Sequence, residues 1–432
     1  MQQDLENLDS YLTFLNQSPT VYHAAKQITE QLLRAGFQEL KEKERWSLQP
    51  GKSYFVVRQD TLVAAFRIPK KAPVSAVILA SHIDSPCLKL KPQPELFNHG
   101  IGQFSTEVYG GPLLHSWLDR DLAIGGRISG IDAKGQLHTK LIYLDDSPVI
   151  IPQLAIHLDR SINEKGILVH KQDHLKPIFS IRSGKDDANW IKKHHSFSEL
   201  LSCDLFLTPT EKAAFIGFEK DLVASYRHDN LTSAYGSLFA ILNTAALNDT
   251  IQMALFWDHE EIGSMSYVGA DSLFANQILE RICMQFKMDR EDYYRLKNRS
   301  LCLSSDLAHG YHPNYADKYD LQNAAFLGKG VVLKFNANQK YATSSASAAP
   351  IVRLAEKHKI PLQKFAGRSD IPSGSTVGSI MAANLGVSTV DLGIAGWAMH
   401  STREVIAAED QISLCRLLKS ALEDPLLITE AL

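Results

Sequence analysis

The chain has 432 residues, 45% of them hydrophobic and 22% charged, and a formal net charge of −3. This length favours two domains, and the composition is typical of a globular protein. The near-neutral charge, with no extended basic block, argues against nucleic acid or an anionic membrane as the main partner. No apolar run reaches the roughly 18 residues that a membrane-spanning helix needs. Five scattered cysteines without a CxxC pair, and a start that lacks signal-peptide features, predict a reduced, cytoplasmic protein.

The predicted elements alternate between helices and strands along most of the chain. Two helices are predicted over residues 8–36, and the continuous apolar run at 72–80 predicts a strand covered on both faces. The later predicted elements are helices at 230–247, 272–286, 342–358 and 413–422, and strands at 251–257, 300–305 and 388–394. This alternation predicts the α/β class, as an α/β sandwich with a mixed, largely parallel sheet.

The stretch between residues 91 and 225 differs from the rest of the chain. It is rich in glycine, proline and short alternating runs, and residues 126–138 predict a β-hairpin. Residues 171–195 are polar and predict a long loop. We therefore interpret 91–225 as an inserted, mainly β domain that divides the α/β domain into residues 1–90 and 226–432.

Acidic and imidazole side chains follow the predicted strands. His82 and Asp84 come directly after the strand at 72–80, and the pair Glu260-Glu261 comes after the strand at 251–257. Three further candidates lie beside later elements: Asp229, Asp306 and His400. The carboxyl ends of parallel strands share one edge of a sheet, so these side chains are expected to meet there. Nitrogen and oxygen ligands with one spare carboxylate are the inventory of a hydrolytic two-metal site.

Each candidate has a plain structural alternative when it is taken alone. A histidine after a strand is commonly a core or turn residue, Asp229 suits a helix cap, and the glutamate pair suits the first turn of a helix. Together, these alternatives require several unrelated exceptions at one sheet edge, so the metal interpretation is favoured. In addition, residues two apart on an extended segment point the same way. Asp84 is therefore predicted to accept the second ring N–H of His82 and to orient it.

At these residues the chain resembles the aspartyl aminopeptidase family of dinuclear zinc aminopeptidases, the group that also includes vacuolar aminopeptidase I. The resemblance rests on motifs such as DHEEIG at 258–263, and it covers nearly the whole chain in order. The other matching stretches are 81–88, 117–122 with 126–127, 154–158, 229–231, 305–309 with 312–314, 336–342, 368–370 with 374–378, and 399–404.

The resemblance implies two Zn²⁺ ions per subunit, with Co²⁺ or Mn²⁺ as alternatives. It assigns His82 and Asp306 to one metal, and Glu261 and His400 to the other, with Asp229 as the bridge. It implies catalytic roles for the remaining members of the set, which are Glu260 as general base, Asp84 and His157.

The resemblance also implies an assembly and a substrate. It makes 91–225 a dimerisation domain within a catalytic domain, and it implies a homo-dodecamer built from dimers in which His157 reaches a neighbouring subunit's active site. The implied substrates are peptides with a free N-terminus, with a preference for acidic Asp or Glu that Lys334 reads. The other implied substrate-binding residues are Tyr341, Arg368 and Ser375.

Local departures and competing functions accompany this interpretation. Relatives more often carry a proline and a glutamine in the segment 393–399, and a leucine at the position of His228.

One alternative function is a dinuclear metal deacylase or carboxypeptidase acting on N-acyl amino acids. Another is a structural shell protein with vestigial catalysis.

Overall fold

The computed structural model describes residues 2–181, 191 and 194–425. Its helices are α1 (Gln2–Asn16), α2 (Val21–Arg34), α3 (Ile162–Lys165), α4 (His228–Leu242), α5 (Phe274–Gln285), α6 (Arg290–Asn298), α7 (Ser345–His358), α8 (Val377–Leu385) and α9 (Ala408–Glu423). None of these helices is both long and apolar enough to cross a membrane.

The strands form three sheets. In chain order they are β1 (Gln38–Leu40), β2 (Ser53–Arg58), β3 (Leu62–Arg67), β4 (Ser75–His82), β5 (Cys87–Asn98), β6 (Ile101–Tyr109), β7 (Leu122–Ile131), β8 (Leu137–Val149), β9 (Ile178–Ser180), β10 (Glu199–Pro209), β11 (Ala214–Ile216), β12 (Leu222–Ser225), β13 (Thr250–Trp257), β14 (Leu301–Ser305), β15 (Ala308–His309), β16 (Val331–Phe335), β17 (Leu362–Ala366), β18 (Ser388–Gly393), β19 (Ala395–Trp397) and β20 (Glu404–Ala407).

The largest sheet is mixed and has nine strands in the order β1-β2-β3-β13-β4-β14-β18-β16-β17. Its central strands β13, β4, β14 and β18 run parallel to one another. The outer pairs β2–β3, β3–β13 and β16–β18 are antiparallel. The predicted α/β class with a mixed sheet is therefore confirmed, and four parallel strands deliver their carboxyl ends to one edge.

Helices cover both faces of this sheet, because its central strands are apolar on both sides. In β4, Val77 and Leu79 belong to the core that α1, α2, α4, α7 and α9 cover, whereas Ile78 and Ala80 belong to the core under α5, α6 and α8. Every residue of β4 is buried. Burying one such side chain contributes about 1.5–3 kcal/mol, so the sheet provides a rigid base for the loops at its edge.

A second sheet has six strands in the order β8-β7-β10-β5-β6-β9, all of them between residues 87 and 209. The predicted hairpin lies at one edge of this sheet, as β7 paired antiparallel with the edge strand β8. The third sheet joins β11 and β12 to β20, β19 and β15, so it links strands on either side of α4. The predicted domain limits stay predictions.

Some elements differ from those predicted. Within the loop expected at 171–195, residues 178–180 form β9, while 182–190 and 192–193 lie outside the described residues. The sequence analysis missed α6, in which Tyr293 and Leu296 are the buried residues, because so narrow an apolar stripe gives little periodicity. It also missed β16, β17 and α8, which are short. The last helix begins at Ala408 rather than at 413, because buried Asp410 and Gln411 interrupt the apolar pattern.

An ion-pair network joins the six-stranded sheet to the rest of the chain. Asp204 accepts hydrogen bonds from Lys89 at 2.7 Å, Arg127 at 3.0 Å and the Tyr22 hydroxyl at 3.1 Å. Arg127 also donates to Asp60, which lies between β2 and β3. Burial by itself would raise the pKa of Asp204, but these bonds outweigh it and lower the pKa. Tyr22 belongs to α2, so Asp204 fastens the second sheet to the first.

We expect Asp204→Asn to lower the free energy of unfolding by about 1 kcal/mol, a charged hydrogen-bond contribution reduced because the site is partly exposed to solvent. The folded pKa lies below the unfolded one, so the contribution is present at neutral pH and is lost as the pH falls through the folded value. Urea unfolding at neutral pH measures it. Asp145→Asn, which removes an exposed pair with Lys212, is the control and should change little. Equal effects of the two variants would contradict the role of Asp204.

Candidate metal centre

The predicted ligands meet at the carboxyl edge of the large sheet. His82 is the last residue of β4 and lies opposite Trp257, the last residue of β13. Asp306 follows β14 directly. Glu260 and Glu261 lie in a single 3-10 turn after β13. This turn begins where the chain reverses sharply, in the left-handed region at residue 259 (φ 62). The parallel strands thus bring together side chains that are far apart in sequence.

Asp229 joins two groups of ligand atoms. Its Oδ1 lies 3.3 Å from His82 Nε2, and its Oδ2 lies 3.2 Å from His400 Nε2. Asp306 Oδ1 lies 3.9 Å from the same nitrogen of His82. Glu261 Oε2 lies 3.5 Å from His400 Nε2. In the described part of the chain, three groups have ligand atoms within 4.8 Å of one another: His82–Asp229–Asp306, Asp229–Glu261–His400 and His82–Glu260–Glu261.

The chemistry of this donor set fits divalent cations. Among the described residues, no hydrogen-bond donor reaches the buried atoms Asp229 Oδ1 and Glu261 Oε1. Burial, together with the charge of Asp306, raises the pKa of Glu260 to about 8, although His82 opposes this shift. Burial and the charge of Asp229 likewise raise the pKa of Glu261. Buried carboxylates outnumber imidazoles here, and a bound cation offsets such an excess of negative charge. Carboxylate and imidazole ligands suit zinc, cobalt and manganese.

Asp84 makes more contacts within the site than the predicted one with His82. His82 Nδ1 lies 3.2 Å from the main-chain oxygen of Asp84 and 3.3 Å from its carboxylate Oδ1. The same carboxylate accepts the main-chain N–H groups of Glu260 at 3.2 Å and Glu261 at 3.1 Å. The hydroxyl of Tyr109, at the end of β6, donates to it at 2.7 Å. One carboxylate therefore orients an imidazole and fixes the glutamate turn.

The residues predicted to bind substrate divide into a buried pair and an exposed group. Lys334 is buried, its Nζ donates to the main-chain oxygen of Leu307 at 2.9 Å, and it lies 5.4 Å from the ring centroid of buried Tyr341. Leu307 follows the candidate ligand Asp306, so this pair adjoins the metal centre. The other two, Ser375 and Arg368, which is paired with Asp370 at 2.7 Å, lie outside the ligand groups. His157, which was predicted to be catalytic, is exposed on the turn before α3 and also lies outside these groups.

The sequence analysis missed a buried carboxylate beside the ligands. Glu404 is 1% exposed and accepts the main-chain N–H groups of Asp229 at 2.9 Å and His400 at 2.7 Å. The only sign of Glu404 in the sequence was its place in the matching stretch 399–404, and this does not show which residues it contacts. Arg227 was also missed, because its contacts leave no pattern in the sequence. Its buried guanidinium donates to the main-chain oxygen of Ile83 and to Ser85 Oγ.

A cavity of about 260 Å³ opens beside His400. Its lining includes His309, Tyr319, Trp397 and Met399. Burial lowers the pKa of His309, as does the nearby charge of Lys334. The cavity thus adjoins the candidate ligand His400, and its wall includes His309, which lies near the charge of Lys334.

Comparison with known proteins gives the family. The family model described as "Aminopeptidase I zinc metalloprotease (M18)" matches residues 14–421. The chain is 38% identical over 431 residues to a probable M18 family aminopeptidase 2 of Pseudomonas savastanoi pv. phaseolicola, covering 97% of this chain and 98% of that protein.

Solved structures agree with this family. The structure of the Ape4 and Nbr1 complex has a TM-score of 0.94 at 33% identity and covers 99% of this chain and 87% of that chain. The structure of the S. cerevisiae mApe1 dodecamer has a TM-score of 0.84 at 25% identity and covers 96% of this chain and 95% of that chain. This chain therefore belongs to the M18 family and is an aminopeptidase of the zinc metalloprotease type.

Proposed function

We propose that this aminopeptidase is dinuclear, that it releases single N-terminal residues from peptides, and that it prefers acidic Asp or Glu in the first position. The observation that supports two metals best is the geometry of Asp229, whose two oxygens face different imidazoles at 3.3 and 3.2 Å. A carboxylate in that arrangement suits a bridge. Two Zn²⁺ ions per subunit are proposed, with Co²⁺ or Mn²⁺ as alternatives.

The proposed ligands follow the two groups of atoms. His82 and Asp306 would bind one ion, Glu261 and His400 the other, and Asp229 both. Bound ions would supply Lewis acidity, which lowers the pKa of water and polarises a scissile carbonyl. Contacts from Asp84 orient His82 and help to fix its tautomer.

Glu260 is proposed as the general base. Its Oε2 lies 3.9 Å from His82 Nε2, close to the ligands but outside the group that contains His400. Its main chain is fixed by Asp84, so its carboxylate is directed into the site. From there it would take a proton from the attacking water and return it to the leaving amine.

Lys334 supports the acidic preference. Among the described residues, no carboxylate forms an ion pair with this buried ammonium group, whose hydrogen bond goes to a neutral carbonyl. A buried charge of this kind favours a partner of opposite sign. The carboxylate of a substrate Asp or Glu, entering beside His309, would provide it.

We further propose that residues 91–225 form a dimerisation insert, that the chain assembles as a homo-dodecamer in the cytoplasm, and that His157 completes a neighbouring subunit's site. Exposed apolar residues surround His157, with Leu154 59% exposed and Leu158 74% exposed, as at surfaces that become covered. The mApe1 relative is solved as a dodecamer. All five cysteines are free, which suits a reducing compartment.

The central test compares a free N-terminus with a blocked one. We expect an aspartyl-anilide to be cleaved and its N-acetylated form to resist, because acetylation removes the amine that an aminopeptidase recognises. Chelation should abolish turnover, and Zn²⁺, Co²⁺ or Mn²⁺ should restore it. Preferred cleavage of the acetylated form would favour the deacylase alternative. No turnover with either substrate, from metal-loaded protein, would favour the shell alternative.

We expect Glu260→Gln to lower kcat by about 10²–10⁴-fold, since the amide has no basic site for the proton, while both metals stay bound. Steady-state kinetics and metal analysis of the same preparation measure the two effects. Glu280→Gln, an equal change on the exposed side of α5, is the control. Near-normal turnover of Glu260→Gln would rule out its role as the base.

We expect Lys334→Met to lower kcat/KM for Asp- and Glu-anilides by about 10–100-fold, because a charge-assisted hydrogen bond of about 1.5–3 kcal/mol is lost. A leucyl-anilide should change little, since methionine retains the volume and apolar stem of the lysine. Lys364→Met, at an exposed position of neighbouring β17, is the control. An equal loss on all three substrates would contradict recognition of the acidic side chain.

A further inference from the structure

We propose that Glu404 is a positioning residue that affects one metal more than the other, namely the ion assigned to Asp229, Glu261 and His400. This inference rests on the proposed two-metal function and adds to it a residue that binds no metal itself. Glu404 holds the main chain of His400 and of the bridging Asp229, whereas Glu261, His82 and Asp306 are held by different contacts.

The geometry of Glu404 supports this assignment. Its Oε2 accepts the N–H of Asp229 at 2.9 Å, and its Oε1 accepts the N–H of His400 at 2.7 Å. Each oxygen therefore has its own donor, and the two donors belong to ligands that are distant in sequence. Hydrogen bonds of an ionised carboxylate to N–H groups are about twice as strong as neutral ones. A single buried side chain thus sets the spacing between the two ligands.

The position of Glu404 in the fold makes it a firm anchor. It is the first residue of β20 and lies opposite Ser225 of β12 in the third sheet. Strand β20 also pairs with β19, which leads toward His400. The carboxylate is therefore attached to a paired strand, whereas the two main-chain segments that it binds lie outside regular strands.

The main chain of His400 needs such an anchor. Its φ of 68° lies in the left-handed region, which a non-glycine residue occupies at a cost of about 1–2 kcal/mol. The bond from its N–H to Glu404 offsets this cost, and its Nδ1 contacts the main-chain oxygen of Gly111 at 3.0 Å. Together these contacts fix both the backbone and the ring of His400.

The other metal group is held differently. His82 is part of β4 and contacts Asp84, and Asp306 has its N–H bonded to the main-chain oxygen of Leu392 in β18. Neither of them contacts Glu404 through a hydrogen bond among those of the described residues. Loss of the Glu404 carboxylate should therefore weaken the two ions unequally.

The test is a stepwise chelator titration of the full-length, zinc-loaded protein, with metal content followed per subunit. For Glu404→Gln, in which an amide N–H₂ faces a main-chain donor, we expect the ion assigned to Glu261 and His400 to bind about 10–100-fold more weakly, and the other ion, which shares only Asp229, to weaken much less. Saturating zinc should restore kcat close to the parent value. Glu409→Gln, the same change at an exposed position of α9, should leave both affinities unaltered.

The outcomes separate this inference from the proposed function. A parent protein that binds no metal overturns both. A parent with two ions, beside a Glu404→Gln variant with unchanged or equally weakened ions, overturns the inference alone. Amide hydrogen exchange of the metal-depleted parent gives a second test that needs no variant. Slow exchange at Asp229 and His400 supports the assignment, and fast exchange at either one contradicts it.

Discussion

The candidate centre is defined by an excess of buried negative charge. Carboxylates from four segments, those of Asp84, Asp229, the glutamate pair and Asp306, converge on the imidazoles of His82 and His400. Within the described part of the chain, buried oxygens of Asp229 and Glu261 have no hydrogen-bond donor. Burial without compensation disfavours ionised carboxylates, and this raises the pKa of Glu260 and Glu261. The fold holds these carboxylates close together although their negative charge is not balanced by the two imidazoles. A bound cation would supply the missing positive charge.

Main-chain hydrogen bonds keep these carboxylates in place. Asp84 accepts the N–H groups of the glutamate turn, and Glu404 accepts those of Asp229 and His400. Both acceptors are themselves acidic, so they add to the charge excess instead of relieving it. An apolar side chain would leave those buried N–H groups unsatisfied at a cost of about 1–3 kcal/mol each. Asp84 and Glu404 thus fix the main chain of the site and also add to its negative charge.

The candidate ligands could be predicted from the sequence better than the residues that hold them in position. His82, Glu261 and Asp306 directly follow apolar strands, and strand order in an α/β sheet determines that such positions share an edge. The contacts of Glu404 and Arg227 could not be predicted, because they join a side chain to a distant main chain and leave no pattern of spacing. The burial of Lys334 could not be predicted either, because β16 was not recognised as a strand.

The second sheet contributes to the site through a few contacts at its near end. Tyr109 closes β6 and donates to Asp84, and the same sheet is attached to α2 through Asp204. The exposed apolar turn around His157 follows β8 and lies outside the ligand groups that the described residues form. The contact from Tyr109 is therefore the means by which this sheet supports the candidate centre of its own chain.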